Sequence, residues 1–426
     1  MKKHPAAFIP HALFVLAVIY MVQYVINDGG NDLYIYRLGA ETITDGPGGP
    51  GLYEVSLDNY PFTYPPFAAL LFVPFALMPK EVGMALMMLI TAGIAWWLGW
   101  VITRYVSRRG VRIPLYEHLG TAGCASTLAL LIWASGPWRL TTHFGQINAV
   151  ILLLVLADFL RPATRVPRGV LIGIAGGIKL TPLAFGLILL MRKDWRGVAS
   201  VAGGFVGTIA LGFLAVPGEA AYYWGVAVRN TSRIGVTAFY DNVSLTGIFA
   251  HQGVPEPIAT VLVVALSLFL LVATAALMRL FIRANMVFSQ VALNAFLMLQ
   301  ISPISWSHHN TWYPVLLVAL YLEIFPLIMP AACPVVYVLS TFASVIALVG
   351  MYISPFWLAV LFSPKYSSHE MIYLPQGGAG LVAGSAPYAA MYLVVALVFL
   401  TYWAHRAAID ARVDSGRFRA PERPAP

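Results

Sequence analysis

The chain has 426 residues, 59% of them hydrophobic and only 10% charged, with a mean hydropathy of +0.77. Soluble domains carry about 45–50% apolar and about 25% charged residues, so a water-soluble globule, a coiled coil, a collagen and a disordered chain are all excluded. The net charge of +8 is basic, but its meaning depends on where the charges fall.

Apolar segments long enough to cross a bilayer recur along almost the whole sequence, which gives an all-α, polytopic membrane protein. The first run, near 8–26, follows Met1-Lys2-Lys3-His4. No small-residue cleavage site comes after it, so it reads as a retained span. Further spans are expected near 81–103, 118–135, 147–160, 197–216, 258–280, 287–303, 312–330, 334–353 and 389–405, about ten in all. Phe67–Met78, between Pro66 and Pro79, is too short to cross and suits a re-entrant or interfacial helix. The stretch 169–191 is split by Lys179-Leu180-Thr181-Pro182 into two half-helices. Cys124 and Cys333 lie within or beside apolar runs and make neither a disulfide framework nor a zinc site.

Lys and Arg set the orientation. With the N-terminus cytoplasmic, 19 of the 26 basic residues fall on the inner side. Six (Arg37, Lys80, Arg139, Arg229, Arg233 and Lys365) fall outside, and Lys179 lies within the membrane. This obeys the positive-inside rule and places the C-terminus in the cytoplasm as well. The basic balance is then a topology signal with some attraction to anionic lipid, and nucleic acid is not an expected partner. Long outer segments fall at 27–66, 217–257 and 354–388, and long loops in compact proteins are usually functional. No internal repeat of the inverted-transporter kind is visible. One transmembrane domain is expected over 1–405, with a disordered cytoplasmic tail over 406–426.

The chemistry-bearing residues lie on the outer segments. Asp32, in Asn31-Asp32-Leu33-Tyr34-Ile35-Tyr36-Arg37, follows the first span and can serve as a general base towards a lipid-borne substrate. It can equally cap a short helix running to about Thr44, the commoner use of such an aspartate. Asp58 is the alternative carboxylate, or simply a turn residue. Tyr60, Phe62 and Tyr64, between Asp58 and Pro66, can stack on a sugar or join an aromatic belt. Gln146 and Asn148 suit sugar hydroxyls, or hydrogen bonds between helices. Gly169, Gly173 and Gly177 stand four apart on one helix face, where a neighbour can pack closely. Lys179 follows, a charge at membrane depth that needs a partner. That partner is a lipid phosphate or a carboxylate such as Asp158. Arg233 can bind phosphate bidentately. Ser302–Asn310 carries Trp306, His308 and His309; adjacent histidines point about 100° apart on a helix and chelate metal poorly, so no metal is expected. No P-loop, Rossmann glycine pattern or nucleophile elbow is present, so any sugar donor should be lipid-borne.

In chain order these motifs are Asp32-Leu33-Tyr34-Ile35-Tyr36, Pro61–Ala69, Gly145-Gln146-Ile147-Asn148, Ile178–Pro182, Asn242-x-Ser244 and Ser302–His309. Together they resemble glycosyltransferase family 87, across about residues 28–312. The resemblance implies a GT-C fold, no cofactor, and activity like that of actinobacterial α-1,2-mannosyltransferases. It implies a polyprenyl-phosphate-mannose donor, a glycolipid acceptor in phosphatidylinositol mannoside, lipomannan or lipoarabinomannan synthesis, and inversion at the extracytoplasmic face of the plasma membrane. It also places the family's essential aspartate on Asp32. Lys179, Arg233, His308 and His309 become candidates for the donor phosphate. Tyr36, Arg37, Asp58, Tyr64, Gln146, Asn148, Asn242 and Trp306 become candidates for sugar or acceptor. Beyond about 330 the likeness extends only to spans and loops, which makes the loop 354–388 a candidate for acceptor specificity. An arabinofuranosyltransferase of the same fold and a lipid-linked-sugar flippase are the competing readings. Clustering of the polar motifs at the outer face argues against the flippase.

Overall fold

The computed structural model describes residues 6, 8–45, 49–57, 60–113, 116–162, 165–362 and 378–415, helical almost throughout. They fall into two compact units, one drawn from Met1–Ala134 and Trp138–Ile234, the other from Ser135–Pro137 and Gly235–Pro426.

The first unit begins with α1 (Phe8–Asp28) and α2 (Asn31–Thr44), then a two-residue hairpin of β1 (Ser56–Leu57) and β2 (Tyr60–Pro61). α3 (Pro66–Ala76) and α4 (Lys80–Arg108) start where Pro65 and Pro79 hold the preceding backbone extended. α5 (Tyr116–Ala134) and α6 (Gly136–Phe144) meet at a 75° bend. α7 (Asn148–Leu160), α8 (Val170–Ile178), α9 (Gly186–Met191), α10 (Trp195–Ala215) and α11 (Pro217–Gly225) complete the unit's helices. The expected break is present: α8 ends at Ile178, Lys179 is extended, and a 3-10 turn over Thr181–Phe185 leads into α9.

The glycine face of α8 lies against α10. A Cβ on Gly173 would come 2.7 Å from the Phe205 amide nitrogen and 3.0 Å from Gly204 Cα. One on Gly204 would come 2.7 Å from the Val170 carbonyl, so the two backbones touch. Asp158, fully buried, fastens the start of α8. It accepts from the amides of Gly169 (2.7 Å) and Ile172 (3.2 Å) and pairs with Arg161 at 2.8 Å. A carboxylate so placed satisfies open amides at a helix N-terminus and complements its dipole.

The second unit contains α12 (Leu245–His251), α13 (Glu256–Arg283), α14 (Val287–Ile301), α15 (Tyr313–Val318), α16 (Phe325–Ile328), α17 (Pro334–Ile353), α18 (Pro355–Leu361), α19 (Ala379–Ala404) and α20 (Arg406–Asp414). α15 and α16 belong to one apolar helical run, Ser307–Ala331, that passes through a π-helical turn at Ala319–Ile324. In that turn Glu323 accepts from the amide and hydroxyl of Ser289, at 2.7 and 2.6 Å, and so fixes the first turn of α14.

One expectation stays unconfirmed here and one is corrected. Among the described residues seven helices are long and apolar enough to cross a membrane, or eight if the bent α5–α6 pair counts as one, so the expected ten are not confirmed. α7 and α14 have 13 and 15 residues, about 20 and 22 Å, short of a hydrocarbon core of about 30 Å. From Phe288 to Gln300 every residue of α14 is buried by protein, so its hydropathy reflects a core and not a lipid face. The tail does not begin as disorder either. Residues 406–414 form α20, which buries Ile409 and Val413 while Asp410 and Asp414 pair with Arg283 at 3.0 and 2.9 Å. The chain is a multi-pass, all-α membrane protein.

Candidate active site

The first unit assembles a polar cluster from four separate segments. Its geometry starts at Gly29-Gly30. Gly30 has φ +95°, a left-handed conformation natural to glycine, and its amide donates to the His143 carbonyl at 2.8 Å. That bond pins the start of α2 to the end of α6. Gly145, at φ +68°, then turns the chain so that Gln146 points back towards α2. Gly30 is the N-cap of α2 with no side-chain cap, so Asp32 stands inside the first turn and is not the capping residue.

The Gln146 side chain faces the Asp32 carboxylate and favours its charged form. Its Oε1 accepts from the Tyr36 hydroxyl at 2.9 Å, which leaves the amide NH2 to donate to Asp32. The Tyr36 hydroxyl is also 2.9 Å from that of Tyr64. Both rings are held by packing: Tyr36 stacks on Phe72 at 4.4 Å and meets Tyr64 edge-on at 5.0 Å. Lys179 Nζ lies 5.6 Å from the centre of the Tyr64 ring, and its charge acts on Asp32. The carboxylate facing Lys179 is thus Asp32. Asp158 is occupied at the other end of α8.

Asp32 keeps some accessible surface, yet protein encloses it on most sides. Burial pushes its carboxyl up to about 6, against the opposite pull of the Gln146 amide and the Lys179 charge. A carboxylate that titrates there is ionised at neutral pH and basic enough to take a proton from an alcohol as that alcohol attacks. A cation beside it can receive a departing anion.

Other candidates lie elsewhere. Arg37 donates to the carbonyls of Phe75 and, at 2.8 Å, Met78, closing the end of α3, with Glu41 at 3.9 Å. Arg233 stacks on Tyr53 at 5.1 Å and donates to the Phe62 carbonyl at 2.9 Å. The Tyr53 hydroxyl donates to the Tyr64 carbonyl at 3.0 Å, so this pair braces the strand that presents Tyr64. Asn148 is buried at the first position of α7. Asp58 lies outside the described residues.

The second unit holds a separate polar cluster around the loop after Ile234. Asn242 uses its whole amide: Nδ2 donates to the carbonyls of Thr237 (2.9 Å) and Pro303 (3.1 Å), and Oδ1 accepts from the amides of Ser244 (3.2 Å) and Ser305 (2.9 Å). Two donors and two lone pairs are then spent, so the expectation that Asn242 binds sugar is corrected to a latch between two loops. Trp306 packs edge-on against Phe239 at 5.5 Å, and its amide donates to His309 Nδ1 at 3.2 Å. The His308 and His309 rings meet edge-on at 4.7 Å. Nothing in the sequence marks Asp241 as a buried carboxylate. Its Oδ2 accepts from the Ser307 amide at 3.3 Å, and burial pushes the carboxyl up to about 7. Among the described residues no three metal-ligating side chains gather.

The placement of Gly30 is testable. Gly30→Ala imposes a strained φ and sets its Cβ 3.1 Å from the Tyr34 ring. We expect it to lower any reaction that depends on Asp32 by about 100-fold, as misplacement of a reacting group by about 1 Å does, with little change in the amount of folded protein by size-exclusion chromatography.

The sequence profile of glycosyltransferase family 87 matches residues 62–303, more than half of the chain. The matched span contains Tyr64, Gln146, Lys179, Arg233 and Asn242; Asp32 and Trp306–His309 flank it. The chain is 33% identical, over 66% of its length and 67% of the relative, to the polyprenol-phosphate-mannose-dependent alpha-(1-2)-phosphatidylinositol mannoside mannosyltransferase of Mycobacterium tuberculosis. It is 31% identical to the protein of the same name from Mycolicibacterium smegmatis, over 67% and 69%. With the pentamannoside mannosyltransferase of the latter organism it shares 32% identity, over 68% and 69%. No solved structure matches it. A helical membrane scaffold, a carboxylate set against a lysine, and a profile match over most of the helices between them agree: the chain belongs to glycosyltransferase family 87 and is a glycosyltransferase.

Proposed function

We propose that this protein transfers mannose from polyprenyl-phosphate mannose to a mannosyl residue of a phosphatidylinositol mannoside or related glycolipid, forming an α-1,2 linkage. The observation that carries the reading is the pairing of Asp32 with Lys179 beside Gln146 and Tyr64. Asp32 takes the proton of the acceptor 2-hydroxyl as that oxygen attacks the anomeric carbon. The bond from this carbon to the phosphate oxygen breaks, and its electron pair leaves with the carrier phosphate, whose added charge falls to Lys179. No general acid is required, because the leaving group is already an anion. Displacement at the face opposite the phosphate converts a β-linked donor into an α-linked product. Tyr36 holds Gln146, which in turn holds Asp32, and the half-buried Tyr64 offers a ring face to the pyranose.

In this reading both units belong to one GT-C catalytic domain over 1–405, with the reacting face extracytoplasmic and both termini cytoplasmic. Lys2 and Lys3 before α1, and Arg104, Arg108, Arg109 and Arg112 after α4, fall on one side of those two crossings, with only Arg37 and Lys80 between them, which supports that orientation. Incubating membranes that contain the protein with radiolabelled polyprenyl-phosphate mannose and a panel of phosphatidylinositol mannosides tests the reaction. Label should enter a product that an α-1,2-mannosidase removes; failure of every acceptor to take up label refutes the assignment.

The pH dependence follows from Asp32. Only the ionised carboxylate accepts a proton, and its folded-state value is raised to about 6. Transfer should be flat at neutral pH and fall tenfold per pH unit below about 6. A limb near 4, the ordinary aspartate range, would show that the titrating group is a different carboxylate.

A further inference from the structure

Asp32 and its partners gather at one end of α4, and the other end carries a second feature. Near its start, Met84 touches the Gly30 and Gly145 turns; a Cβ added at either would lie 3.2 Å from its sulfur. About twenty residues later, ~30 Å along the helix at 1.5 Å per residue, comes Arg104. Here a cavity of about 350 Å³ is lined by Trp100, Arg104, Ser107, Arg108, Tyr116 and Thr121. Small-ligand sites begin at about 300 Å³, so one headgroup fits.

The lining is chemically specific. Arg104 stacks on Trp100 at 4.8 Å, which fixes the guanidinium without using its N–H donors. Among the described residues neither Arg104 nor Arg108 makes a hydrogen bond or ion pair. The helix C-terminus here is itself negative, so two cations without a carboxylate leave an excess that suits an added anion. Tyr116 and Thr121 are five residues apart, ~140° round a regular helix. Their hydroxyls nonetheless meet at 2.9 Å, because Gly120 breaks α5 with φ +62° and ψ −175°. One hydroxyl hydrogen joins the pair and the other is left to donate. The Ser107 hydroxyl gives its hydrogen to the Thr103 carbonyl at 2.9 Å and presents lone pairs. The site therefore offers cationic donors to a phosphate and oxygen acceptors to neighbouring alcohols. A basic helix end that only fixes topology needs neither a cavity, a stacked tryptophan nor a backbone break.

The geometry points to a binding site for the headgroup of an anionic, hydroxyl-bearing phospholipid, seated in the leaflet opposite the Asp32 cluster. The phosphodiester lies between Arg104 and Arg108, the headgroup alcohols on Ser107, Tyr116 and Thr121, and the glycerol backbone along Trp100.

Native mass spectrometry of the full chain in detergent, titrated with dioleoyl phosphatidylglycerol or dioleoyl phosphatidylcholine, tests this. Wild type should retain phosphatidylglycerol in preference to phosphatidylcholine. Arg104→Gln with Arg108→Gln should weaken retention roughly 25-fold, about fivefold for each guanidinium near the surface. Arg279→Gln, an exposed arginine of α13, should change nothing. If the double variant does not fold by circular dichroism, Tyr116→Phe serves instead and should weaken retention about fivefold, a typical loss for one hydrogen bond. Equal retention by variant and wild type overturns the proposal. So does displacement of the lipid by an equal concentration of glycerol phosphate, which would make the ligand a soluble phosphate. The readout is lipid binding, so its failure is distinct from any failure to detect mannose transfer.

Discussion

Asp32→Asn should abolish mannose transfer, with a loss of at least about 10²–10⁴, the usual worth of a positioned general base. Asparagine keeps the shape, and its Oδ1 still accepts from the Gln146 amide, so the donor should bind with nearly unchanged affinity. Binding is measured with a non-transferable donor analogue, and transfer by label incorporation. A variant that binds and does not transfer supports the role; one that transfers at the wild-type rate removes it. The substitution also takes the carboxylate away from Lys179. Leaving one buried charge without the opposite charge that acts on it is dearer than removing both. Asp32→Asn with Lys179→Met should therefore melt at a higher temperature than Asp32→Asn alone, while remaining inactive.

Lys179→Gln should lower transfer by about 10²–10³, as loss of one fixed donor at a developing negative charge does. The affinity for the lipid-phosphate donor should fall with it, which separates this variant from the one at Asp32. A second readout distinguishes charge stabilisation from simple packing. The Lys179 charge holds the Asp32 carboxyl down, against burial. Without it the carboxyl must titrate higher, and the acidic limb of the pH profile should move above about 6. A variant with reduced activity and an unmoved limb would mean that Lys179 does not face Asp32 during the reaction.

Much of the scaffold could be read from residue types. Pro182 and the extended Lys179 announce the broken helix pair, and α2 ends at Thr44 as its polarity suggests. The count of ten spans is not confirmed, because hydropathy does not say what covers an apolar face. α14 is as apolar as a lipid-facing helix, yet protein covers it. α20 was missed because its apolar face amounts to Ile409 and Val413, and its docking depends on Arg283 far away in sequence. The candidate site divides in the same way. Asp32, Gln146, Tyr64 and Lys179 were all identifiable as polar groups beside apolar runs. Their meeting was not, because it depends on one long-range bond from the Gly30 amide to the His143 carbonyl. Asn242 shows the converse: an amide in a promising motif can be fully engaged by backbone, which only its four bonds disclose.

The contact of α8 with α10 has a cost for turnover. With backbone against backbone at Gly173 and Gly204, the helix leading to Lys179 keeps one seat against its neighbour before and after the sugar departs. The ammonium that, as proposed, draws electrons out of the breaking bond therefore still faces the spent carrier. In the proposed reaction, the enzyme's pace is then governed by how quickly undecorated polyprenyl phosphate diffuses away, and a membrane slow to recycle its carrier would throttle the enzyme from the product side.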